Sequence, residues 1–366
     1  MKKRICTVLA LVMCFAMLAT ACGNAETTEP KTPAATQPQE TIAVLEAPES
    51  AADAPVESAE VPQPAGYPGK TINLIIPVKA GAALDLNMRA MADRIDLGGA
   101  DIVIQNVAGA SQTIGIAQGA ASPADGSTIV VCGPAGNLIQ PHLIDLTYSP
   151  DSFSYIANPF GPVSAAIAVK ADSEYQTLDD LIDAMKNGAN LKYSTSTVGS
   201  VAHINSLYVW NTLGVAATHV AYNGTADAVN AVLSGEIDFC MMDHSVVIDH
   251  AEAETMRILA LSWKDSETDR FWPAELPSLE EDYGLTDIKN FGGFAMLAVP
   301  KGTPDDIVAW LCQEFEKFFT SAEWDEYLSG IGRAGYELYV GEEMDAQCRV
   351  MYDAFGDAIE NYYPVE

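Results

Sequence analysis

The sequence predicts an α/β protein built as two lobes, on three observations. From Tyr67 onward, short apolar runs bounded by Gly, Pro or Asn alternate with helix-length amphipathic stretches. That is the pattern of βα units in a mainly parallel sheet with helices on both faces. The units come in two successive sets, with no repeat at a fixed period. Two strand–loop–helix openings of similar make-up, near residues 77–85 and 193–203, stand far apart in the chain. Residues 67–366 suffice for two ordinary domains.

The start of the chain reads differently. Met1-Lys2-Lys3-Arg4 is followed by an apolar or small run from Ile5 to Ala21, and then by Cys22. A basic start, a short apolar core and small residues before a cut describe a secretory signal over residues 1–21, too short to span a bilayer. Leu18-Ala19-Thr20-Ala21-Cys22-Gly23 also resembles a bacterial lipobox, with Ala19 where Leu is usual. It implies lipidation at Cys22 and an extracytoplasmic chain held to the membrane through that lipid alone. Residues 22–66, rich in Ala, Pro, Thr and Glu, bury too little to offset chain entropy and are expected to be a disordered tether.

The formal charge of −31, from 19 basic and 50 acidic residues, grows more negative once Lys2, Lys3 and Arg4 leave. It argues against nucleic acid and anionic membrane surfaces as partners. Cys132, Cys240, Cys312 and Cys348 form no CxxC pair and sit in apolar contexts, as core thiols do, and the sequence leaves a disulfide among them open.

Taken in order, Ile72–Ile76 is an apolar run stopped by Pro77, the mark of a strand buried on both faces. Gly81 turns the chain, and Asp85 is expected to N-cap a helix carrying Leu86, Met91 and Ile95 inward. Asp101–Gln105 is a strand, Ile114–Ala121 a helix and Ser127–Cys132 a strand. Ala165–Val169 leaves for the second lobe. There follow a helix over Leu178–Met185, a strand over Leu191–Ser194, a helix over Val201–Leu213, a strand over Ala217–Val220 and a helix over Thr225–Leu233. Ile237–Met242 and Arg257–Ser262 are strands, and Phe294–Val299 returns to the first lobe. Asp305–Phe319 and Gly341–Tyr362 are amphipathic helices. The expected division is 67–164 with 294–366 as one lobe and 165–293 as the other.

Function concentrates in the two openings. Val78-Lys79-Ala80-Gly81-Ala82 leads into one helix, and Thr195-Ser196-Thr197-Val198-Gly199-Ser200 leads into another. A strand ending at a helix amino end presents free N–H groups, an anion site made from backbone. If the lobes face each other, the two loops close on one small anion.

These residues resemble the substrate-binding proteins of tripartite tricarboxylate transporters, the TctC or Bug family. The resemblance runs in order through Tyr67-Pro68 with Lys70 and Ile72; Pro77, Ala80, Gly81 and Asp85; Asn106 and Gly109; and Pro123, Asp125 and Gly126. It continues through Tyr193, Ser196, Gly199, Ser200 and His203; His219, Val220, Tyr222 and Gly224; Gly235 and Asp238; and Pro300–Pro304. It implies a Venus-flytrap fold, of the type II periplasmic-binding-protein kind, with crossing hinge strands. It also implies a small carboxylate held by loop amides and hydroxyls, no cofactor or metal, the membrane subunits of a tripartite transporter as partners, and a monomer. Fixed amides hold an anion without a net positive protein.

The expected ligand-binding set is Val78, Lys79, Ala80, Gly81, Ala82, Asp85, Asn106, Gly109, Thr195, Ser196, Thr197, Gly199, Ser200, His203, Tyr222 and Asp243. Ala82, Ser194 and Thr197 stand where the family has glycine, which implies strain or a rearranged, narrower pocket if those positions need positive φ. Lys79 has two readings, a solvated lysine outside the loop or a cation at the cleft mouth for a second carboxylate. His203 reads as a packing residue more than a ligand. Asp243-His244 ends a strand and is a candidate for lining the cleft, while His244 with Asp249 and His250 lacks metal-site spacing and reads as surface rather than as a metal site.

An enzyme would need a nucleophile with a base, poised carboxylates or a metal set. The chain has no GxSxG, Walker loop or GxGxxG. A binder is therefore expected, with a membrane-coupled solute sensor of the same fold as the alternative and a surface hydrolase as a distant one.

Overall fold

The computed structural model describes residues 60–363 apart from 196–197, 223, 265–271, 274, 332 and 334. The leader, Cys22 and most of the tether lie outside the described residues, as do Ser196 and Thr197. The last residues assigned to the tether are packed. Val61 lies against the first core cluster, and its N–H donates to Gln313 Oε1 at 3.1 Å.

Two five-stranded sheets carry the two lobes. The first is built from β1 (Thr71–Ile76), β2 (Asp101–Asn106), β3 (Thr128–Cys132), β4 (Phe153–Ala157) and β10 (Met296–Pro300) in the order β2-β1-β3-β10-β4. The second is built from β5 (Ala165–Lys170), β6 (Lys192–Ser194), β7 (Thr218–His219), β8 (Phe239–Asp243) and β9 (Met256–Leu261) in the order β7-β6-β8-β5-β9. Each sheet has three neighbouring parallel strands and one strand antiparallel to both its neighbours, β10 in the first and β5 in the second. The expected mainly parallel sheets are present, since four strands of each run one way and a single strand is reversed. The strand that arrives from the other lobe enters in the opposite sense, because the chain reaches it from the far side.

β1 shows why these residues make a central strand. Ile72, Leu74 and Ile76 pack into one core cluster, and Ile75 packs into the cluster on the other face. Helix α1 (Ala83–Ala92) covers this sheet with Met88 and Met91. It begins at Ala83, so Asp85 is its third residue and not its cap. Leu86 is 54% exposed, a correction to its expected inward role, because a residue five positions before Met91 falls off the face that Met88 and Met91 bury.

Around the sheets lie α2 (Thr113–Ala120), α3 (Gln140–Leu143), α4 (Leu178–Lys186), α5 (Val201–Thr212), α6 (Thr225–Ser234), α7 (His244–Glu252), α8 (Asp305–Phe319), α9 (Ala322–Gly330) and α10 (Glu342–Tyr362). β4, α3, α7 and α9 are elements the pattern did not single out. Each is short, and tertiary packing outweighs weak local preference in such pieces.

The crossings between sheets, 158–164 and 262–295, are stapled. Ser164 Oγ donates to the Trp263 carbonyl at 2.8 Å and accepts from the Trp263 N–H at 3.2 Å. His244 sits on the same point, with its N–H and Nδ1 each 3.0 Å from the Ser164 carbonyl oxygen. It is buried at the strand end and lines a cavity there, which corrects the surface reading it shared with Asp249 and His250. Asp249 and His250 are not drawn in with it.

Candidate functional site: a cleft between two helix amino ends

The β1–α1 loop is held by Asp85, which is fully buried. Its Oδ2 accepts from the Gly81 N–H at 2.8 Å and from Arg89 Nε at 2.9 Å, and its Oδ1 accepts from Asn106 Nδ2 at 2.7 Å. Asn106 also donates to the Val78 carbonyl at 3.1 Å and accepts from Arg89 Nη2 at 2.8 Å. Burial alone would raise this carboxyl's pKa. The bonds from Arg89, Gly81 and Asn106 outweigh it and hold it below the ordinary value. Gly81 has φ 85°, a left-handed turn that suits glycine. Ala82 has φ −70°, so the alanine at the expected glycine position costs nothing. Lys79 and Ala80 are exposed on the outside of the loop, and Lys79 does not line the cleft.

The β6–α5 loop uses different means. Ser200 caps α5, its Oγ accepting from the His203 N–H at 3.2 Å, and Gly199 turns at φ 69°. The Gly199 N–H donates to His203 Nδ1 at 3.0 Å, and the His203 ring stacks on His219 with centroids 4.0 Å apart. Thr195 Oγ1 lies 3.0 Å from His219 Nε2. Burial depresses both imidazoles to about 4, His203 helped by the neighbouring His219. Both rings are therefore neutral struts at neutral pH. Tyr222 points elsewhere, donating to Glu236 Oε1 at 2.9 Å. Gly109, at φ 141°, opens the segment into α2 and does not line the cleft.

Between the lobes lies a cavity of about 280 Å³. Ala83, Leu84 and Asn87 of α1 line it from one side, and Val201, Ala202 and Asn205 of α5 line it from the other. The first turn of a helix leaves N–H groups without intrahelical partners, and its dipole favours negative charge. Two such ends, one from each lobe, therefore open on one space. Phe160, Pro134 and Phe294 supply apolar wall. Arg333 and Asp243 are the cation and the carboxylate among its described lining residues, with Arg333 Nη2 3.5 Å from Asp243 Oδ2. The Arg333 guanidinium also lies 5.0 Å from the Phe160 ring centroid. A second cavity of about 220 Å³, on the hinge, shares Val163, Phe294 and Arg333 with the first.

Among the described residues of the expected set, only Asp243 lines this cavity. The two loops are in place, but the lining residues stand one helical step beyond them. Asn87, Asn205 and Arg333 were not expected. A signal existed for the asparagines. Ala83 with Asn87, and Val201 with Asn205, are spaced i to i+4, which puts each asparagine on the face that its helix start presents. Nothing in the sequence around Arg333 marks it.

The family model of the "Tripartite tricarboxylate transporter family receptor" matches residues 88–351. The chain belongs to this receptor family. BugT of Bordetella pertussis is 27% identical over 253 residues, 67% of this chain and 75% of BugT. A TctC solute-binding protein from Polaromonas, solved without ligand, superposes with a TM-score of 0.67 at 25% identity, over 80% of this chain and 99% of its own. An R. palustris protein solved with adipate superposes with a TM-score of 0.63 at 22% identity, over 80% of this chain and 97% of its own. The expected two-lobed binding-protein fold is the one present. The family is one of extracytoplasmic solute-binding receptors, not of enzymes.

Proposed function

We propose that the protein captures a small organic carboxylate between its lobes and delivers it to the membrane subunits of a tripartite transporter. It does so as a monomer tethered outside the cytoplasm through lipidated Cys22. The observation that carries the reading is the convergence of two helix amino ends, from different lobes, on one cavity that also holds Arg333. Backbone amides and one guanidinium suit a carboxylate in a strongly acidic protein, because their charge is local and fixed. The relative with bound adipate supports the ligand class by analogy of fold.

A melting screen with mono-, di- and tricarboxylates tests it. A cognate acid at a hundredfold excess over Kd adds about 2.7 kcal/mol to stability and raises Tm. A screen in which no acid raises Tm overturns the reading. Cys22→Ser is expected to move the protein from the membrane fraction to the soluble one. Retention at the membrane refutes the lipid tether.

A further inference from the structure

Resting on the carboxylate reading above, we infer that Gln112 sets the position of the cleft wall at Pro134, and through it the size of acid the cleft admits. It acts from behind that wall as a positioning residue, and the strained turn that carries it serves this placement.

Among the described residues, three of the four non-glycine residues with positive φ are consecutive. They are Ala110 at 44°, Ser111 at 52° and Gln112 at 79°. A Cβ in the left-handed region crowds the following carbonyl, so each is costly where glycine would be easy. Such strain persists only where the surroundings over-determine it. The turn is closed at both ends. The Gln112 N–H donates to the Gly109 carbonyl at 3.0 Å, and Thr113 Oγ1 donates to the Ala110 carbonyl at 2.8 Å. Ala110 and Ser111 are exposed, whereas Gln112 is half-buried.

The Gln112 side chain occupies space that two glycines after β3 leave open. A Cβ on Gly133 would stand 2.7 Å from Gln112 Cδ and 2.8 Å from its Nε2, and a Cβ on Gly136 would stand 2.9 Å from Gln112 Cβ. The Gly136 N–H also points at Gln112 Oε1, at 3.4 Å. Pro134 lies between these two glycines in the chain and lines the cavity. Pro134 in turn fills the space over Gly293, where a Cβ would stand 2.8 Å from its Cβ and Cγ. Contacts this close pass on a change in side-chain volume. With the Gln112 side chain removed, the 133–136 turn has room to retreat, and the wall at Pro134 retreats with it.

The test separates the side chain from the strain. Isothermal titration with succinate, glutarate, adipate and citrate measures Kd for the wild-type chain, Ser111→Gly and Gln112→Gly. Both replacements put glycine at a positive φ, but only the second removes the strut. Ser111→Gly is expected to keep every Kd within about twofold of wild type. Gln112→Gly should weaken the tightest acid at least about fivefold and narrow its lead over the next acid, because a site whose supporting contacts are loosened loses its fit. Urea midpoints test the contact without any ligand. Gly133→Ala should lower the midpoint of the wild-type chain and lower that of Gln112→Gly by less than half as much, the coupling expected of touching residues. Three results each overturn the inference and leave the carboxylate reading standing. They are a Kd or a lead unchanged in Gln112→Gly, an equal loss in Ser111→Gly, and a Gly133→Ala effect independent of Gln112. Binding of none of the four acids by the wild-type chain overturns both.

Discussion

At the scale of single residues, Asp85 shows how a side chain read as part of the ligand set turns out to hold the loop behind it. Both its oxygens are occupied by donors. An amide at this position would turn a donor toward donors. Asp85→Asn is therefore expected to lower stability by about 2–4 kcal/mol, measured by urea denaturation, with ligand preference unchanged. A melting temperature equal to wild type would refute this role. The stacked imidazoles give a pH dependence. Their folded pKa values, about 4, lie below the ordinary 6.5, so the unfolded chain binds more protons between these values. Stability is then complete above pH 6.5 and falls as the pH drops toward 4. His219→Gln should flatten that slope in melting curves recorded across the window. His203 and His219 were visible in the sequence as motif residues. Their stacking was not, because it depends on β7 lying beside β6.

At the scale of elements, local rules carry well where a helix has its own stop and start signals. Thr177 caps α4, with Asp180 closing the reciprocal bond. Thr177→Ala should cost about 1 kcal/mol in thermal unfolding, and a cost near zero would show that packing alone sets that helix start. Gly119 of α2 lies against β3. A Cβ there would stand 2.7 Å from Val130 Cβ and Cγ2. Gly119→Ala is expected to push α2 off the sheet at a cost of about 1–3 kcal/mol, read as a lower urea midpoint. The long amphipathic helices and apolar strands were legible from period and composition. β4 and α9 were not. Trp324 of α9, fully buried and donating to the Pro159 carbonyl at 2.8 Å, acquires its meaning only when residues 165 positions apart meet.

For the whole molecule, the crossings place a stapled hinge at Ser164, Trp263 and His244, with the cleft beside it. Arg333, after α9, and Asp243, at the end of β8, bridge the lobes across that cleft. Binding is expected to compact the molecule, so small-angle scattering with saturating ligand should give a smaller radius of gyration. An unchanged radius would show that this cleft does not move on binding. The thiols of Cys132, Cys240 and Cys348 are buried and free, and that of Cys312 is half-buried. Burial pushes Cys240 and Cys348 up to about 12. Reductant should leave the melting temperature unchanged, whereas a fall would reveal a disulfide.

Fold class, family and the two loops that lead into α1 and α5 were legible in the chain alone. Those are written in local signals, namely apolar period, turn residues and ordered motifs. Which side chains line the cavity between the lobes depends on tertiary packing. Asn87, Asn205 and Arg333 reach it because two helices and a distant loop converge there, and Asp85 leaves it because burial commits both its oxygens. Convergence of segments far apart in the chain leaves no periodic trace in any one of them.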